Sequence, residues 1–261
     1  MIRHVRIATY NAASVRARLP LLIEWLAEHE PDVLAIQETK VEDSKFPLAD
    51  FEELGYHVQL HGQKAWNGVA TLTRSPSQPL AKGFEDDLMP VDARLLAIEV
   101  DGIAIVNTYV PNGSSVGSDK FEYKLRWLDR FRRFLDERFR PTDPLIWLGD
   151  INVAPTPLDV YDSKRFYGGV GHNPEEFVRL ANIVDFGLTD LYRKLHPEEN
   201  GYSFFDFTLP RAVDRNLGWR IDHIYVTEPL VPLLQSIEVD MDARRAERPS
   251  DHTFVVANLD L

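Results

Sequence analysis

The chain has 261 residues, of which 44% are hydrophobic, and its 29 Lys and Arg against 41 Asp and Glu give a formal net charge of −12. This charge argues against broad non-specific binding of nucleic acid, which needs positive surface, but it leaves room for a local basic face. The sequence has no cysteine, which excludes disulfides and thiolate chemistry. Basic residues that could form such a face are Arg16, Arg18, Lys40, Lys45, Lys64 and those of segments 210–215 and 242–249.

About ten apolar runs bounded by turn residues predict strands. They cover residues 5–10, 32–37, 56–61, 68–74, 94–100, 103–110, 144–150, 220–226, 236–241 and 253–259. Helical spacing of apolar residues predicts helices at 20–30, 118–139 and 174–187. Because few helices separate the strands, the pattern favours an α/β (α+β) sandwich of two mixed, mainly antiparallel sheets with helices outside.

The sequence contains no linker, repeat or low-complexity tract, so we expect residues 1–261 to form a single domain. Its apolar runs are strand-sized, well short of the roughly 18 residues that a membrane span requires. The N-terminus enters a strand pattern without the apolar core of a signal peptide. We therefore expect a cytoplasmic protein.

Polar residues stand where the apolar runs end. They are Glu38, Tyr109, Asn112, Asp150, Asn152, Asp222, Asp251 and His252. Because side chains alternate along a strand, Asp150 and Asn152 would share one face if the strand continues that far. Simpler explanations also exist: a turn after Gly149, a surface charge at Glu38, or packing at Tyr109. Asp222 fits them least, because a carboxylate inside an apolar strand is costly to bury without a partner.

If these residues share one rim, their types define a chemistry. Oxygen ligands without Cys or a histidine cluster favour Mg²⁺ or Mn²⁺ over zinc, and these ions act on phosphates. A histidine among carboxylates allows an Asp–His pair. The sequence has neither a P-loop nor a GxSxG nucleophile motif. The residues thus favour metal-assisted attack of water on a phosphate ester.

Six motifs occur together in a familiar order: "LAIQETK", "HGQKAWNGVA", "YVPNG", "GDIN", "LGWRIDHI" and "ERPSDH". Over essentially its whole length the chain resembles the exonuclease III family of abasic-site endonucleases, in the endonuclease/exonuclease/phosphatase superfamily. The resemblance implies a four-layered α/β sandwich that cleaves double-stranded DNA 5′ to abasic sites with Mg²⁺, Mn²⁺ being a substitute. It also implies action at DNA 3′ ends, as a 3′-to-5′ exonuclease and in end cleaning. We expect a monomer.

The resemblance also implies roles for individual residues. The expected metal site comprises Asn11, Glu38, Asp150, Asn152, Asp251 and His252, with Asp251 near a second metal position. Asp150, with Asn152 beside it, would orient or deprotonate the attacking water. Asp222 would pair with His252, whose imidazole contacts the phosphate, and Tyr109 would stabilise the phosphate or the leaving group. The expected DNA contacts are Lys64, Arg94, Asn112 and Asn216, with Phe204 and Trp219 walling a pocket for a flipped-out sugar.

Three stretches depart from the family pattern. Ala13 stands where a second Asn or Asp is usual, which predicts weakened or Mn²⁺-favouring metal use. The segment "SDHTF" lacks the usual Pro after the histidine, which we expect to alter only the local backbone. Segment 160–176 matches the family least, although it falls where a DNA-contacting loop is expected.

Two alternatives remain open. One is a metal-dependent phosphatase acting on lipid or small-molecule phosphates, which would not need Trp219 or the "GQK" segment. The other is a non-catalytic DNA-binding relative with a decayed site, which Ala13 suggests. The survival of Glu38, Asp150 and His252 argues against decay.

Overall fold

A computed structural model of the protein describes residues 3–86 and 88–261, and in it two six-stranded sheets pack face to face. The strands are β1 (His4–Asn11), β2 (Val33–Gln37), β3 (His57–His61), β4 (Val69–Thr73), β5 (Gln78–Lys82), β6 (Leu95–Val100), β7 (Ile103–Tyr109), β8 (Leu145–Asp150), β9 (Leu188–Asp190), β10 (Asp222–Thr227), β11 (Leu234–Val239) and β12 (Val255–Asp260). The helices are α1 (Leu19–His29), α2 (Leu48–Glu52), α3 (Asp119–Arg138), α4 (Ser163–Phe166), α5 (Pro174–Val184), α6 (Leu191–Leu195) and α7 (Met241–Arg245), with 3₁₀ turns at Asp43–Lys45, Pro157–Asp159 and Glu228–Leu233.

The two sheets follow similar plans. The first has the order β11-β12-β1-β2-β4-β3 and the second β5-β6-β7-β8-β10-β9. Among the described strand pairs, β1–β2 and β7–β8 are parallel and the other pairs are antiparallel. This architecture confirms the expected sandwich of two mixed, mainly antiparallel sheets.

Apolar side chains form three successive layers of core. Between the sheets, Ile7 and Val69 of the first sheet belong to the same buried cluster as Ile105 and Ile146 of the second. Branched residues suit strands that are buried on both faces. This middle layer fixes the separation of the sheets, and with it the separation of the polar groups at their shared edge.

Helices cover the two outer faces. Trp25 of α1 stacks on Phe254, 3.9 Å between ring centroids, and Phe254 stacks on Tyr10 of β1. On the opposite face, Phe131 of α3 packs on Trp147 of β8 with ring centroids 4.8 Å apart. The expected four-layered sandwich is confirmed. In the described part of the chain, no helix has the length and apolar character needed to cross a membrane.

The three predicted helices appear as α1, α3 and α5, within a few residues of the expected bounds. The prediction missed strands β5 and β9 and the short helices α2, α4, α6 and α7. β5 contains Pro79 and is largely exposed, and β9 has three residues, so neither carries a strong apolar alternation. The strand predicted at 220–226 begins only at Asp222.

Strand register brings the chemistry to one edge of the sandwich. Tyr109, the last residue of β7, lies beside Asp150 in the parallel pair with β8. Asp150 in turn faces Asp222 in the antiparallel pair with β10. Asn11 ends β1 in the other sheet. Three strand ends of the second sheet and one of the first therefore meet at a common rim.

Candidate active site

Asn11 joins the two sheets at this rim. Its side chain is fully buried, and its amide Nδ2 donates to Glu38 Oε1 at 2.9 Å and to Asp150 Oδ2 at 2.8 Å. Its Oδ1 accepts the backbone N–H of Ala13 at 3.0 Å. One carboxamide thus holds carboxylates from both sheets close together.

The backbone around Asn11 is strained. Ala13 has a φ of 45° and Ser14 a φ of 109°, both in the left-handed region that non-glycine residues rarely adopt. Glu38, just after β2, has a φ of 51°. The N–H of Ser14 donates to the Glu38 carbonyl at 2.8 Å, which ties the two turns to each other. Such strain collects at functional sites, where the surrounding structure holds it in place.

Glu38 is kept ionised by its neighbours. Burial alone would raise the pKa of its carboxyl, but the Lys40 ammonium and the Asn11 amide outweigh that effect and lower it. Lys40 Nζ lies 2.7 Å from Glu38 Oε2. Lys40, one of the basic residues noted in the sequence, therefore has a specific partner at the site.

Asp150 and Asn152 form a turn instead of a continued strand. β8 ends at Asp150, and Asn152 adopts a φ of 54°, so the expected shared strand face is wrong. The backbone N–H of Asn152 donates to Asp150 Oδ1 at 3.0 Å, and its side-chain Nδ2 donates to the Val110 carbonyl at 2.9 Å. The turn is therefore observed, and it brings Asn152 to the rim; the role of Asn152 in the site stays a prediction.

Asp222 pairs with His252, as the resemblance implied. His252 Nδ1 lies 2.8 Å from Asp222 Oδ2, and the Ser203 hydroxyl donates to the same oxygen at 2.6 Å. On the far side of the ring, Nε2 lies 3.8 Å from Asp150 Oδ2. The imidazole is therefore flanked by two buried carboxylates, one at each nitrogen.

This environment sets the charge of the histidine. Burial alone would lower the pKa of His252, but Asp222 and Asp150 reverse the effect and raise it to about 10. Burial raises the pKa of Asp150 to about 7, an effect that His252 opposes and that Asp222 and Glu38 reinforce. Near neutral pH the site holds an imidazolium beside a carboxyl group poised to exchange a proton.

Tyr109 carries its hydroxyl at the same rim. Burial, followed by the charges of Glu38 and Asp150, raises the pKa of the phenol, so it remains a neutral donor. The Arg94 guanidinium lies over the ring, with Cζ 4.6 Å from the centroid, and its Nη1 donates to the Tyr109 carbonyl at 3.3 Å. Arg94, expected at the DNA backbone, thus holds Tyr109 as well.

The residues fit a divalent cation. Asp150, Asp222 and His252 offer ligand atoms within 4.8 Å of one another, and Asp222 Oδ1 is buried without a hydrogen-bond partner. Asp222 was not among the expected metal ligands. Glu38 brings one further carboxylate, which shares the Asn11 amide with Asp150. Carboxylate oxygens are the ligands that hard cations prefer.

A cavity of about 500 Å³ opens over these groups. Its charged and polar floor includes Glu38, Asp150, Asn152, Asp251 and His252. Aromatic and aliphatic side chains form its walls, namely Tyr161, Phe166, Phe204, Leu209, Leu217, Trp219 and Ile221. The cavity thus combines an ionic floor with an apolar wall.

The predicted residues divide into two groups by position. Asn11, Glu38, Tyr109, Asn112, Asp150, Asn152, Phe204, Trp219, Asp222, Asp251 and His252 lie at the rim or line the cavity. Lys64 and Asn216 are exposed and do not line it, and Asn216 borders a separate hollow beside Tyr192 and His196. For these two, contact with DNA outside the cavity stays a prediction.

Sequence reasoning missed several residues of the site. Ser203, which holds Asp222, stands immediately before Phe204, and a hydroxyl in the aromatic run "YSFFDF" was an available signal. Phe166 of α4 packs edge-on against Trp219, with ring centroids 5.0 Å apart. It comes from segment 160–176, which matched the family least and therefore gave no signal.

Comparison with known proteins agrees with this geometry. Residues 8–252 match the model of the Endonuclease/Exonuclease/phosphatase family. Exodeoxyribonuclease III of Haemophilus influenzae is 33% identical over 97% of this chain and 99% of its own length. An AP endonuclease structure from Archaeoglobus fulgidus, 39% identical, superposes with a TM-score of 0.95 over 98% of this chain and 100% of that one.

A third protein adds a nucleic acid to the comparison. The 3′ phosphatase NExo from Neisseria, determined bound to a product DNA hairpin, is 36% identical and has a TM-score of 0.91 over 98% of this chain and 100% of that one. This chain, which has the sandwich fold, the Asp–His pair and the carboxylate rim, therefore matches all three proteins over nearly its whole length. The chain belongs to the endonuclease/exonuclease/phosphatase family.

Proposed function

We propose that this protein is a Mg²⁺-dependent DNA phosphodiesterase that cleaves double-stranded DNA 5′ to abasic sites and also processes 3′ ends. The observation that carries the proposal is the Asp222–His252 pair beside Asp150, at the floor of a cavity with aromatic walls. We infer that it acts as a monomer, with a single domain supplying the whole site.

The cavity suits a sugar that has lost its base. Phe204 and Trp219 exchange backbone hydrogen bonds of 2.9 Å in both directions, which fixes both rings against the cavity. A flipped-out deoxyribose without its base would present apolar ring surface to them, and extruding it costs less than extruding a paired base. The AP endonuclease from Archaeoglobus fulgidus and the Neisseria 3′ phosphatase, both similar over nearly the whole chain, support DNA as the substrate.

Asp150 is the group that takes the proton from the attacking water. A general base must lie within reach of the proton that it takes, and Asp150 lies on the cavity floor beside Asn152 and His252. As the water oxygen bonds to phosphorus, its proton passes to the carboxylate, while the neighbouring Asn152 side chain helps orient the water. The bond between phosphorus and the 3′ oxygen breaks, leaving a 3′ hydroxyl and a 5′ phosphate on the abasic sugar.

His252 stabilises the charge that develops on the phosphate. Its Nδ1 is engaged by Asp222, so Nε2 is the nitrogen free to donate toward a phosphate oxygen. Because its pKa is raised to about 10, the ring is an imidazolium at neutral pH. A fixed positive donor in a site that excludes water is worth far more than in solution.

The remaining residues serve the metal and the leaving group. Glu38 and Asp150 would hold Mg²⁺, with Asn11 orienting both and Asp251 near a second position. When bound, the ion supplies Lewis-acid polarisation of the phosphate and neutralises the carboxylates. Tyr109, neutral because its pKa is raised, can donate its hydroxyl proton toward the departing 3′ oxygen.

The experiment uses a labelled duplex with one abasic site, incubated with purified protein in Mg²⁺, in Mn²⁺ and in EDTA. We expect one cut 5′ to the lesion with either metal and none in EDTA. Glu38→Ala and His252→Ala should each lower kcat by about 10²-fold or more, since each removes a group that acts in the transition state. Glu42→Ala, which removes a half-exposed glutamate that pairs with Lys45, is the matched control and should cut normally.

Other outcomes decide between the alternatives. Cutting in EDTA, or full activity of both variants, would contradict the mechanism. An intact abasic duplex together with release of phosphate from 3′-phosphorylated DNA would narrow the function to the activity named for the Neisseria protein. Hydrolysis of lipid or small-molecule phosphates with no action on DNA would favour the phosphatase alternative, and tight DNA binding without cutting would favour the non-catalytic relative.

A further inference from the structure

A buried ion pair lies under the floor of the site. The side chains of Lys124, on α3, and Glu176, on α5, are both completely buried, and the ammonium contacts Glu176 Oε1. The two helices pack against each other on the outer face of the second sheet. Neither residue lines the cavity, and no step of the reaction described above uses them.

The lysine also holds two loops of the site by their backbones. Its Nζ donates to the Asn152 carbonyl at 2.7 Å and to the Asn112 carbonyl at 3.2 Å. An ammonium has three N–H donors, of which two reach these carbonyls, while Glu176 Oε1 lies in ion-pair contact with the same nitrogen. Lys124 thus connects the loop after β7, the turn after β8 and helix α5.

Both asparagines present their side chains to the reaction. Asn112 Nδ2 donates to Asn152 Oδ1 at 3.2 Å, and the Asn152 N–H donates to Asp150 Oδ1 at 3.0 Å. Asn152 is also in the left-handed region, with a φ of 54°. Such a conformation persists only when its surroundings determine it, and the hydrogen bond from Lys124 to its carbonyl is one of those constraints.

The stem of Lys124 packs closely under Gly113. Gly113 has a φ of 96°, and a Cβ there would come within 3.1 Å of Lys124 Cδ and 3.4 Å of Phe121 Cδ2. The lysine stem therefore fills the space beneath the loop that carries Asn112.

Stability alone does not account for a charged pair in this place. Replacing a buried ion pair by apolar side chains of similar volume is often neutral or stabilising, because the desolvation of both charges is avoided. What an apolar pair cannot supply is a donor to two backbone carbonyls. The geometry therefore points to a role in the site.

We infer that Lys124, held in place by Glu176, is a positioning residue that fixes Asn112 and Asn152 for phosphodiester cleavage. The inference rests on the proposed function, since it concerns the same reaction. Lys124 acts through the two asparagines and touches no substrate.

The test compares a single and a double variant. Lys124→Met leaves Glu176 buried and unpaired, so we expect a lower Tm and slower cleavage of the abasic duplex. Lys124→Met combined with Glu176→Met removes both charges and should recover most of the Tm. We expect kcat of this double variant to stay about 10-fold to 100-fold below that of the unmodified protein with KM little changed, because the asparagines are displaced, not absent.

Arg130 provides a matched control on the same helix. It is buried, pairs with Asp86 and Glu137, and does not line the cavity. Arg130→Met should lower the Tm without changing kcat. If the double variant has a normal kcat, whatever its Tm, the pair does not position the site and the inference is overturned.

Hydrogen exchange of the free protein keeps this test separate from the proposed function. In the double variant, backbone exchange should accelerate in peptides covering 110–114 and 150–154 and stay unchanged in the central strands. If the unmodified protein fails to cut the abasic duplex, the proposed function is contradicted. Hydrogen exchange then tests by itself whether Lys124 and Glu176 fix the two loops. Unchanged exchange at 150–154 overturns it, and faster exchange confined to the two loops supports it.

Discussion

At the scale of single residues, the charge on His252 depends on the carboxylates at its two ring nitrogens. Asp222 lies 2.8 Å from Nδ1 and Asp150 lies 3.8 Å from Nε2. Together they raise the pKa of the imidazole to about 10 although burial alone would lower it. A raised histidine pKa means that the charged form is favoured at every pH below that value, which includes the neutral range.

Asp222→Asn should therefore move the alkaline limb of the pH–rate profile to lower pH. Without the carboxylate the imidazolium is less stabilised, so its pKa falls and the protonated form is lost earlier as pH rises. The measurement is kcat/KM for abasic duplex between pH 5 and 10. Asp206→Asn, which removes one charge from the cavity wall without touching His252, is the control and should leave the limb in place. An unmoved limb in Asp222→Asn would show that another group titrates there.

Ala13 is the second residue whose identity should matter. Its backbone N–H holds Asn11, but its methyl group offers no ligand, and its φ of 45° suits Asn better than Ala. Ala13→Asn should lower the Mg²⁺ concentration for half-maximal activity by about 10-fold, the range typical of lost or restored contacts around a metal. Ser14→Gly is the control, because it relieves the φ of 109° next door without adding a polar group. Equal effects of both changes would show that the gain comes from relief of backbone strain. If neither change affects the Mg²⁺ requirement, then having Ala at position 13 has no consequence for metal use.

At the scale of elements, a buried charge network holds β10 in register beside the site. Arg220, just before β10, donates Nε to Asp159 Oδ1 at 2.7 Å and pairs through Nη2 with Asp190 of β9 at 2.8 Å. Burial opposes ionisation of Asp159 and Asp190, but Arg220 outweighs it and lowers the pKa of both carboxyls. Arg220 lies between Trp219 and Asp222 in the chain. Its ion pairs therefore hold both the cavity wall at Trp219 and the partner of His252.

Asp159→Asn should destabilise the fold by about 1.5–3 kcal/mol at pH 7, the usual range for a lost hydrogen bond to a charged group, because Arg220 keeps Asp190 as its second partner. A depressed carboxyl pKa stabilises the fold above the unfolded value of about 4, and the effect is lost as pH falls through the lower folded value. The difference in Tm between variant and unmodified protein should therefore shrink between pH 5 and pH 3. Asp214→Asn, whose partner Arg211 is exposed, is the control and should change stability by less than about 1 kcal/mol. A constant difference across this pH range would contradict the ionic origin of the effect.

The sequence predicted elements whose signal is local and missed contacts whose partners are distant. Helix α3 was predictable because its apolar spacing and Ser118 cap lie within one segment, and Ser118 does accept the Phe121 N–H. The pairing of Asp159 with Arg220 joins residues 61 apart, and nothing near either one predicts the other.

The site shows the same division. Residues at strand ends could be proposed as one rim because polar groups at those positions are visible in the chain, and the strand registers do bring Tyr109, Asp150 and Asp222 together. The left-handed turn at Asn152 could not be read from alternation, since it depends on a side-chain acceptor two residues earlier. Lys124 could not be identified from the sequence, where it is one of several charged residues on an amphipathic helix. Its carbonyl partners belong to loops outside that helix.

At the scale of the whole molecule, the net charge of −12 must coexist with the proposed binding to a polyanion, DNA. Part of the negative charge lies away from the surface. Glu38, Asp150 and Asp222 lie at the rim of the site, and Asp159 and Asp190 form buried ion pairs with Arg220. Phosphate contacts need one basic face and not an overall positive charge. The acidic total therefore reflects the chemistry of the site as much as the surface.

The two sheets also meet in the site, so a bound cation should stabilise the sandwich as a whole. Glu38 follows β2 of the first sheet and Asp150 ends β8 of the second, and the Asn11 amide joins their side chains. Mg²⁺ or Mn²⁺ at about 100 times its Kd should add about 2.7 kcal/mol to the free energy of unfolding, because it binds only the folded chain.

This effect is measured as Tm by calorimetry in EDTA and in each metal, without substrate. Glu38→Gln should abolish the metal-dependent rise in Tm, whereas Glu42→Gln, which changes a half-exposed carboxylate that pairs with Lys45 and does not line the cavity, should retain it. Ala13→Asn should enlarge the rise at limiting Mg²⁺ if the added amide reaches the ion. A rise of equal size in Glu38→Gln would mean that the cation binds elsewhere, and that the link between the sheets is made by Asn11 and the apolar layer between them, not by the metal.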